Sequence, residues 1–472
     1  MRRFIISLFC LILFSTAQSH PWKPNHFVVV DTDAGIDDMR TLTLLLSMPE
    51  VNILAITVSN GATSAEAGYQ KVKSLLHELN KQGVLVGINK LPVNVNPFKH
   101  AVDFHWTDSL YPQFTEVSFI KVLERIQNYS SEKITFINLA GLSTLDSYLG
   151  EHPEFATRLK QVIWTTDIQL EDSWNYSLSP EIYQRLISNT VPLNLIAINN
   201  EKLNYETDWI SGLDTILDSY SLFFKRSLIN QDFHYAMKCY DELVPILVMD
   251  TSLFQTTSKG YLLKKSTSIQ HIESQISKML VINKNNKNQV FIKFPIDSTN
   301  YISDIAPFMN KTIQKYGNEE WAACVLTNEL HRHVGIYAII GAKMGIRARE
   351  YFGAGVDEMK LISYAGNYPP ISCMNDGLQV STGATVGHGL LTVLPNVEAQ
   401  PKVIFEYLGQ QIEFTLKEEY RQKLEKEVKQ LAIIYGINSN IYWDLVRQIA
   451  LNCWFNWDRN ELFEISRVAN KE

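Results

Sequence analysis

The chain has 472 residues, 46% of them hydrophobic and 20% charged, with a formal net charge of -7. That is apolar material for one large core or two moderate ones, and it excludes bulk disorder. The acidic balance, with no Lys/Arg-rich block interleaved with aromatics, argues against nucleic acid as a partner.

Residues 1–20 carry the marks of a signal peptide: Arg2 and Arg3 precede an apolar run from Phe4 to Phe14, and STAQSH supplies small residues for cleavage. The run is shorter than the roughly 20 residues of a membrane span. The expectation is a secreted or periplasmic protein with no membrane partner after cleavage. Cys10 lacks the small residues that precede a lipid-modified cysteine. The other four, Cys239, Cys324, Cys373 and Cys453, are too widely spaced to fix a pairing.

From Phe27 onward short β-rich runs alternate with helical patterns, which predicts an α/β fold with a mostly parallel sheet and flanking helices. HFVVVD, VNILAITVSN, GVLVGIN, KITFINLAG, KQVIWTT and PLNLIAIN read as six successive strands. SAEAGYQKVKSLLHELNKQG reads as a helix, and so does SLSPEIYQRLISN, with Ser179 as N-cap and Pro180 in the first turn. NQVFIKFPID is a further strand candidate after the polar NKNNKN, and YISDIAPFMNKTIQKYGNEEW closes the first unit, with a boundary near Gly317. A smaller α+β unit over 318–430 follows. It opens with an amphipathic helix, GIYAIIGAKMGIRAREYFG, and ends in the solvated, charged LKEEYRQKLEKEVKQLAIIYG. The aromatic-rich remainder, 431–472, reads as a helical extension.

The stretch DTDAGIDD, at the end of the first strand, holds Asp31, Asp33, Asp37 and Asp38. With a period of two, Asp31 and Asp33 point the same way from the carboxyl end of the strand, where open α/β sheets bind ligands. Asp37 and Asp38 open the next helix, where carboxylates are favoured by the free N–H groups. Capping does not account for Asp31 and Asp33, because carboxylates packed this closely repel unless a cation lies among them. The absence of nearby thiol or imidazole favours Ca²⁺ or Mg²⁺ over zinc.

DTDAGIDD resembles the opening motif of the inosine-uridine nucleoside hydrolase family, Asp-x-Asp-x-Gly-x-Asp-Asp, and the resemblance extends over residues 25–317. It implies a Ca²⁺ ion at the bottom of a pocket, ribose hydroxyls held on it, and hydrolysis of an N-glycosidic bond. Carried over by position, Asp33 is the metal ligand that also activates water, Asp38 a further ligand, Asp37 a ribose-hydroxyl acceptor and Asp31 a supporting carboxylate. TVSNGATS makes Asn60 a ribose-site residue. NLAGLSTL places the Ser143 carbonyl on the metal, and EDSWN gives Asn175 for ribose with Trp174 as an aromatic wall. CYDELVPILVMD supplies Asp241 to the metal shell. Two departures stand out: Tyr240 replaces a histidine that protonates the leaving base, and Ser173 replaces a glutamate that grips ribose. A phenol, with an ordinary pKa near 10, is a weak acid at neutral pH. VIWTTDIQ also lacks the family's Met-Gly-Gly, which implies a reshaped base pocket.

In the second unit LHRHVGIYAIIGAKMG and SCMNDGLQVSTGATVGHG resemble the FmdE-type formylmethanofuran dehydrogenase family. Gly335 and Ala384 stand where that family has cysteines, and His388 where it has a lysine. His331, His333, Cys373 and His388 are the candidate zinc ligands. The expectation is therefore a Ca²⁺-dependent hydrolase of a small-molecule riboside, with Asp33 as base and Tyr240 as acid. The second unit adds a Zn²⁺ site or a homodimer contact. The alternative is a non-catalytic, Ca²⁺-dependent binder of a ribose-bearing ligand.

Overall fold

The computed structural model describes residues 26–468 apart from 94, 108, 110, 168, 190, 199–202, 216–218, 230–236, 282–289, 292–293 and 396–397. The signal-like segment therefore lies outside the described residues, and no helix among them is long and apolar enough to cross a membrane.

The first unit is built on β1 (His26–Thr32), α1 (Ile36–Ser47), β2 (Val51–Val58), α2 (Ala65–Glu78), β3 (Leu85–Ile88), α3 (Lys99–Asp103), α4 (Phe119–Tyr129), β4 (Ile134–Asn138), α5 (Ser143–Glu151), β5 (Leu159–Asp167), α6 (Trp174–Ser177), α7 (Pro180–Ser188), β6 (Leu193–Ile198), α8 (Leu243–Met249), β7 (Phe254–Thr257) and β8 (Gly260–Leu263). The sheet runs β3-β2-β1-β4-β5-β6-β8-β7, parallel except for the β7–β8 hairpin. All six expected strands form. The unanticipated hairpin lengthens the sheet at one edge. The strand expected over 288–297 does not form at its described residues, 290, 291 and 294–297; the rest of that stretch is outside the described residues.

Covering layers on both faces explain the near-continuous apolar strands. Val28 and Val30 pack with α1 and α2 on one side, while Val29 packs with α4 on the other. Each is fully buried and contributes on the order of 1.5–3 kcal/mol. Because β2 lies on one side of β1 and β4 on the other, the chain reverses direction at β1. A crevice opens at the carboxyl ends of strands at such a point.

The second unit contains α9 (Met309–His331), α10 (Ile336–Phe352), β9 (Lys360–Ser363), α11 (Met374–Thr382), β10 (Leu391–Val393), β11 (Lys402–Tyr407), β12 (Gln410–Leu416), α12 (Glu418–Tyr435), α13 (Asn440–Asn456) and β13 (Phe463–Arg467). Its sheet order is β10-β9-β11-β12-β13. At the expected boundary, Gly317, the helical geometry breaks: φ is 87° and ψ is 162°, which kinks α9 there. Two expectations change here. The helix read as amphipathic, α10, is instead a core helix buried on all sides. It lies backbone to backbone on α11, since a Cβ at Gly377 would come within 2.1 Å of the Ala338 carbonyl oxygen. The extension over 431–472 is not purely helical: β13 pairs with β12 and completes the second sheet. The charged α12 buries only Leu424, as its Glu/Lys pattern requires. All four described cysteines are free thiols.

Candidate active site

A cavity of about 520 Å³ opens at the carboxyl ends of β1, β4 and β5. Asp33, Asp37 and Asp38 line it from the β1–α1 turn, Leu139 from the end of β4, and Thr165, Thr166 and Asp167 from β5. Trp174 and Asn175 come from α6, Phe98 and His100 from the start of α3, and Tyr240 and Asp241 from the segment before α8.

The acidic turn is held by its own backbone. Thr32 donates its hydroxyl to Asp38 Oδ2 at 2.5 Å, and the Asp33 N–H reaches the same oxygen at 3.0 Å. Asp33 Oδ2 accepts from the Ala62 N–H at 2.9 Å, and its Oδ1 from the Gly35 N–H at 3.3 Å. Gly61 lets Asp33 sit there: a Cβ at that position would lie 2.0 Å from Asp33 Oδ2. Asp31 is fully buried behind the cavity, accepting from Thr57 at 2.5 Å and Ser59 at 3.4 Å. Burial pushes its carboxyl up to about 7. For Asp33 burial, opposed by the Ala62 N–H, gives about 6.

One carboxylate oxygen each from Asp37, Asp38 and Asp241 lies within 4.8 Å of the others. Burial, followed by neighbouring carboxylate charge, pushes Asp38 and Asp241 well above the ordinary range. Anions so close are stable together only with a proton or a cation among them. An all-oxygen donor set that is partly buried fits a hard divalent ion such as Ca²⁺. The tightest cluster thus takes Asp37 in place of Asp33, whose oxygens are committed to backbone N–H groups.

Asp241 is held in place by a buried ion pair. Arg40 on α1 and Glu242 are 1% and 0% exposed and in direct contact. Arg40 also donates to the Lys238 carbonyl at 2.8 Å, and Glu242 accepts from the Tyr240 N–H at 2.8 Å. The pair therefore ties the Tyr240–Glu242 segment to the helix that carries Asp37 and Asp38.

Two expected site residues are not brought to the cavity. Asn60 uses its amide within its own loop, accepting from the Ala65 N–H and donating to the Leu91 carbonyl, both at 2.9 Å. Ala62 lines the wall instead. Ser143 is the first residue of α5, with its hydroxyl 3.4 Å from Asn89 Nδ2; the lining residue in that segment is Leu139. The β4 strand ends at Asn138, so the turn reaches the cavity four residues earlier than the motif implied. Asn175 is present, but its Nδ2 is committed to the carbonyl oxygens of Leu139 at 2.9 Å and Thr165 at 3.2 Å. Trp174 forms the expected wall, with Phe98 as an unanticipated partner at 4.4 Å between ring centroids. His100 stacks on Phe98 at 5.2 Å. Phe98 and His100 sit at the start of the five-residue α3, too short to show a periodic pattern, so the sequence carries no signal for them beyond their residue type.

The candidate zinc ligands do not converge among the described residues, where the acidic trio is the sole group of three. His331 Nδ1 is 2.8 Å from Asp376 Oδ2, and its ring lies 4.3 Å from that of His333. His388 turns to the Gly383 carbonyl at 3.0 Å and Asp357 at 3.3 Å. Cys373 is half-buried, and burial raises its thiol. The loss of the thiol at Gly335 is filled: a Cβ there would meet His331 Nε2 at 2.9 Å, so the imidazole occupies the place of a side chain.

An open parallel sheet with a ligand cavity at its reversal point is the architecture of an α/β protein that handles a small molecule. The family model "Inosine-uridine preferring nucleoside hydrolase" matches residues 28–302, more than half of the chain, and the chain belongs to that family. The model "FmdE, Molybdenum formylmethanofuran dehydrogenase operon" matches residues 330–463. Among curated relatives, the pyrimidine-specific ribonucleoside hydrolase RihA of Salmonella enteritidis PT4 is 21% identical over 186 residues, covering 36% of this chain and 60% of its own length. The chain thus spans less than two thirds of the curated relatives it matches. Similar solved structures include an inosine-uridine preferring nucleoside hydrolase from Bacillus anthracis, with TM-score 0.43 and 18% identity over 54% of this chain and 99% of that one. A purine-preferring ribonucleoside hydrolase from Gardnerella vaginalis has TM-score 0.44 and 13% identity over 54% and 99%.

Proposed function

We propose that the chain is an exported, Ca²⁺-dependent hydrolase that cleaves the N-glycosidic bond of a ribonucleoside or related riboside. The observation that carries this is the oxygen cluster of Asp37, Asp38 and Asp241 at the floor of a cavity walled by Trp174 and Phe98. Ca²⁺, when bound, supplies the positive charge that orients a sugar diol and makes water easier to deprotonate. Asp38 and Asp241 would hold it, with Asp37 shared between the ion and a ribose hydroxyl. Asp33, which lines the cavity and is oriented by the N–H groups of Ala62 and Gly35, would take a proton from water. The rings of Trp174 and Phe98 offer faces to a planar base. Proton donation to the departing base falls to Tyr240 or His100, the cavity-lining side chains with a phenol and an imidazole.

One observation favours a second reading, a non-catalytic binder: Asn60 faces away, and Ala62 and Ser173 present little to grip ribose. A panel of purine and pyrimidine ribonucleosides separates the two. Hydrolysis predicts free base and ribose from the wild type and none from Asp33→Ala. Calcium-dependent binding without release of base from any member of the panel would leave the binder.

A further inference from the structure

A second cavity, of about 410 Å³, lies on the seam between the two units. Its walls come from the end of α1 and the turn after α2 on one side, and from α9, α10 and Arg459 on the other. Cavities of this size between structural units are common ligand sites.

Its polar groups are unevenly satisfied. Each carboxylate that lines it already has a cation: Glu319 pairs with Arg349, Glu320 with Lys343 and Arg459, and Glu350 with Arg459. Glu320 and Lys343 are both fully buried, so this half of the seam is neutralised and rigid. Lys81, arriving from the first unit, is different. It is half-buried, and among the described residues its ammonium has no hydrogen bond and no ion pair; partial burial lowers its pKa, and Glu350 and Glu319 attract it only from longer range. Arg349 spends Nη1 on Glu319 and on the Ser381 carbonyl, yet its Nε is buried without a partner among the described residues. Among the same residues the Tyr316 hydroxyl and Asn318 Oδ1 are buried and unpartnered. Tyr316 is only 4% exposed. Buried polar groups without partners are destabilising and mark places where a ligand completes the bonding. One unpaired ammonium, a guanidinium N–H left over from the Glu319 pair and a spare hydroxyl outnumber the one spare acceptor, Asn318 Oδ1, and every lining carboxylate is already paired, which selects an anion.

We propose that the seam cavity binds a small organic anion bearing a carboxylate or a phosphate, held between Lys81 of the first unit and Arg349 of the second, with the Tyr316 hydroxyl donating to the anion and Asn318 Oδ1 accepting from a ligand hydroxyl where there is one. Apolar Met48, Val51 and Met279 in the same wall accommodate a short carbon body. Because the two cations come from different units, the anion joins them, and its binding stiffens the seam.

The experiment uses the full chain with Ca²⁺ present and titrates glycerol 3-phosphate and succinate separately, by calorimetry at constant ionic strength set with NaCl. At least one probe is expected to bind with one site per chain, and the better of the two identifies the headgroup. Lys81→Met is expected to weaken that binding at least tenfold. Without probe, it should unfold at a temperature no lower than the wild type, because it removes an ammonium that has no partner. Arg349→Met should also weaken binding. No binding of either probe at 10 mM, equal binding by Lys81→Met and wild type, or a Lys81→Met chain markedly less stable than the wild type would each overturn the proposal.

Discussion

Replacing Arg40 by methionine tests what holds the Tyr240–Glu242 segment under the cavity. Arg40 and Glu242 are 1% and 0% exposed, so removing the guanidinium strands a carboxylate in the core. Breaking such a pair from one side costs about 3–5 kcal/mol. The lost bond to the Lys238 carbonyl adds about 1 kcal/mol. Glu242 has an escape, since burial already holds its carboxyl above the ordinary range and favours taking up a proton. The expected loss therefore sits near the lower end of the sum, about 4 kcal/mol. Arg40→Met/Glu242→Gln removes both charges and keeps an acceptor for the Tyr240 N–H, so it should recover most of that loss. Urea unfolding followed by tryptophan fluorescence reads the stability, and release of free base reads the site. A single variant within about 1 kcal/mol of wild type, or a double variant no better than the single, would refute the reasoning.

Gly61→Ala would drive a Cβ to within 2.0 Å of Asp33 Oδ2; base release should fall about a hundredfold while calcium binding persists, as kinetics and calcium titration on one preparation would show. Phe98→Ala removes one face of the aromatic wall, and kcat/KM should drop by about thirtyfold, the middle of the range for a ring stacked on a base. Calcium at about 100 times its Kd should stabilise the first unit by about 2.7 kcal/mol; EGTA should abolish this increment, and Asp241→Asn should show a much smaller one in the same thermal scans.

The strands are legible because a parallel sheet covered on both faces needs unbroken apolar runs, and Val28 to Val30 or Ile53 to Ile56 meet that need locally. The acidic cluster was legible for the same kind of reason: Asp33, Asp37 and Asp38 are neighbours in sequence, and Asp241 was reached by motif. What could not be read depends on contacts between distant segments. Asn60 sits in the expected loop, but the loop bonds it to Ala65 and Leu91 and aims it away from the cavity. Phe98 and His100 reach the cavity from the start of a single short turn of helix, and Arg40 pairs with Glu242, 202 residues along the chain, which no local pattern announces. The four candidate zinc ligands do not form a cluster among the described residues. With two thiols gone, His331 fills the space beside Gly335 and bonds Asp376.

Calcium titration of the EGTA-treated full chain, repeated with Asp38→Asn and in the presence of ribose, tests the central claim most directly. The account predicts one ion per chain, a strong loss of affinity in the variant, and tighter calcium binding when ribose is present. A wild-type chain that takes up no calcium, or a variant that binds it equally well, would contradict it.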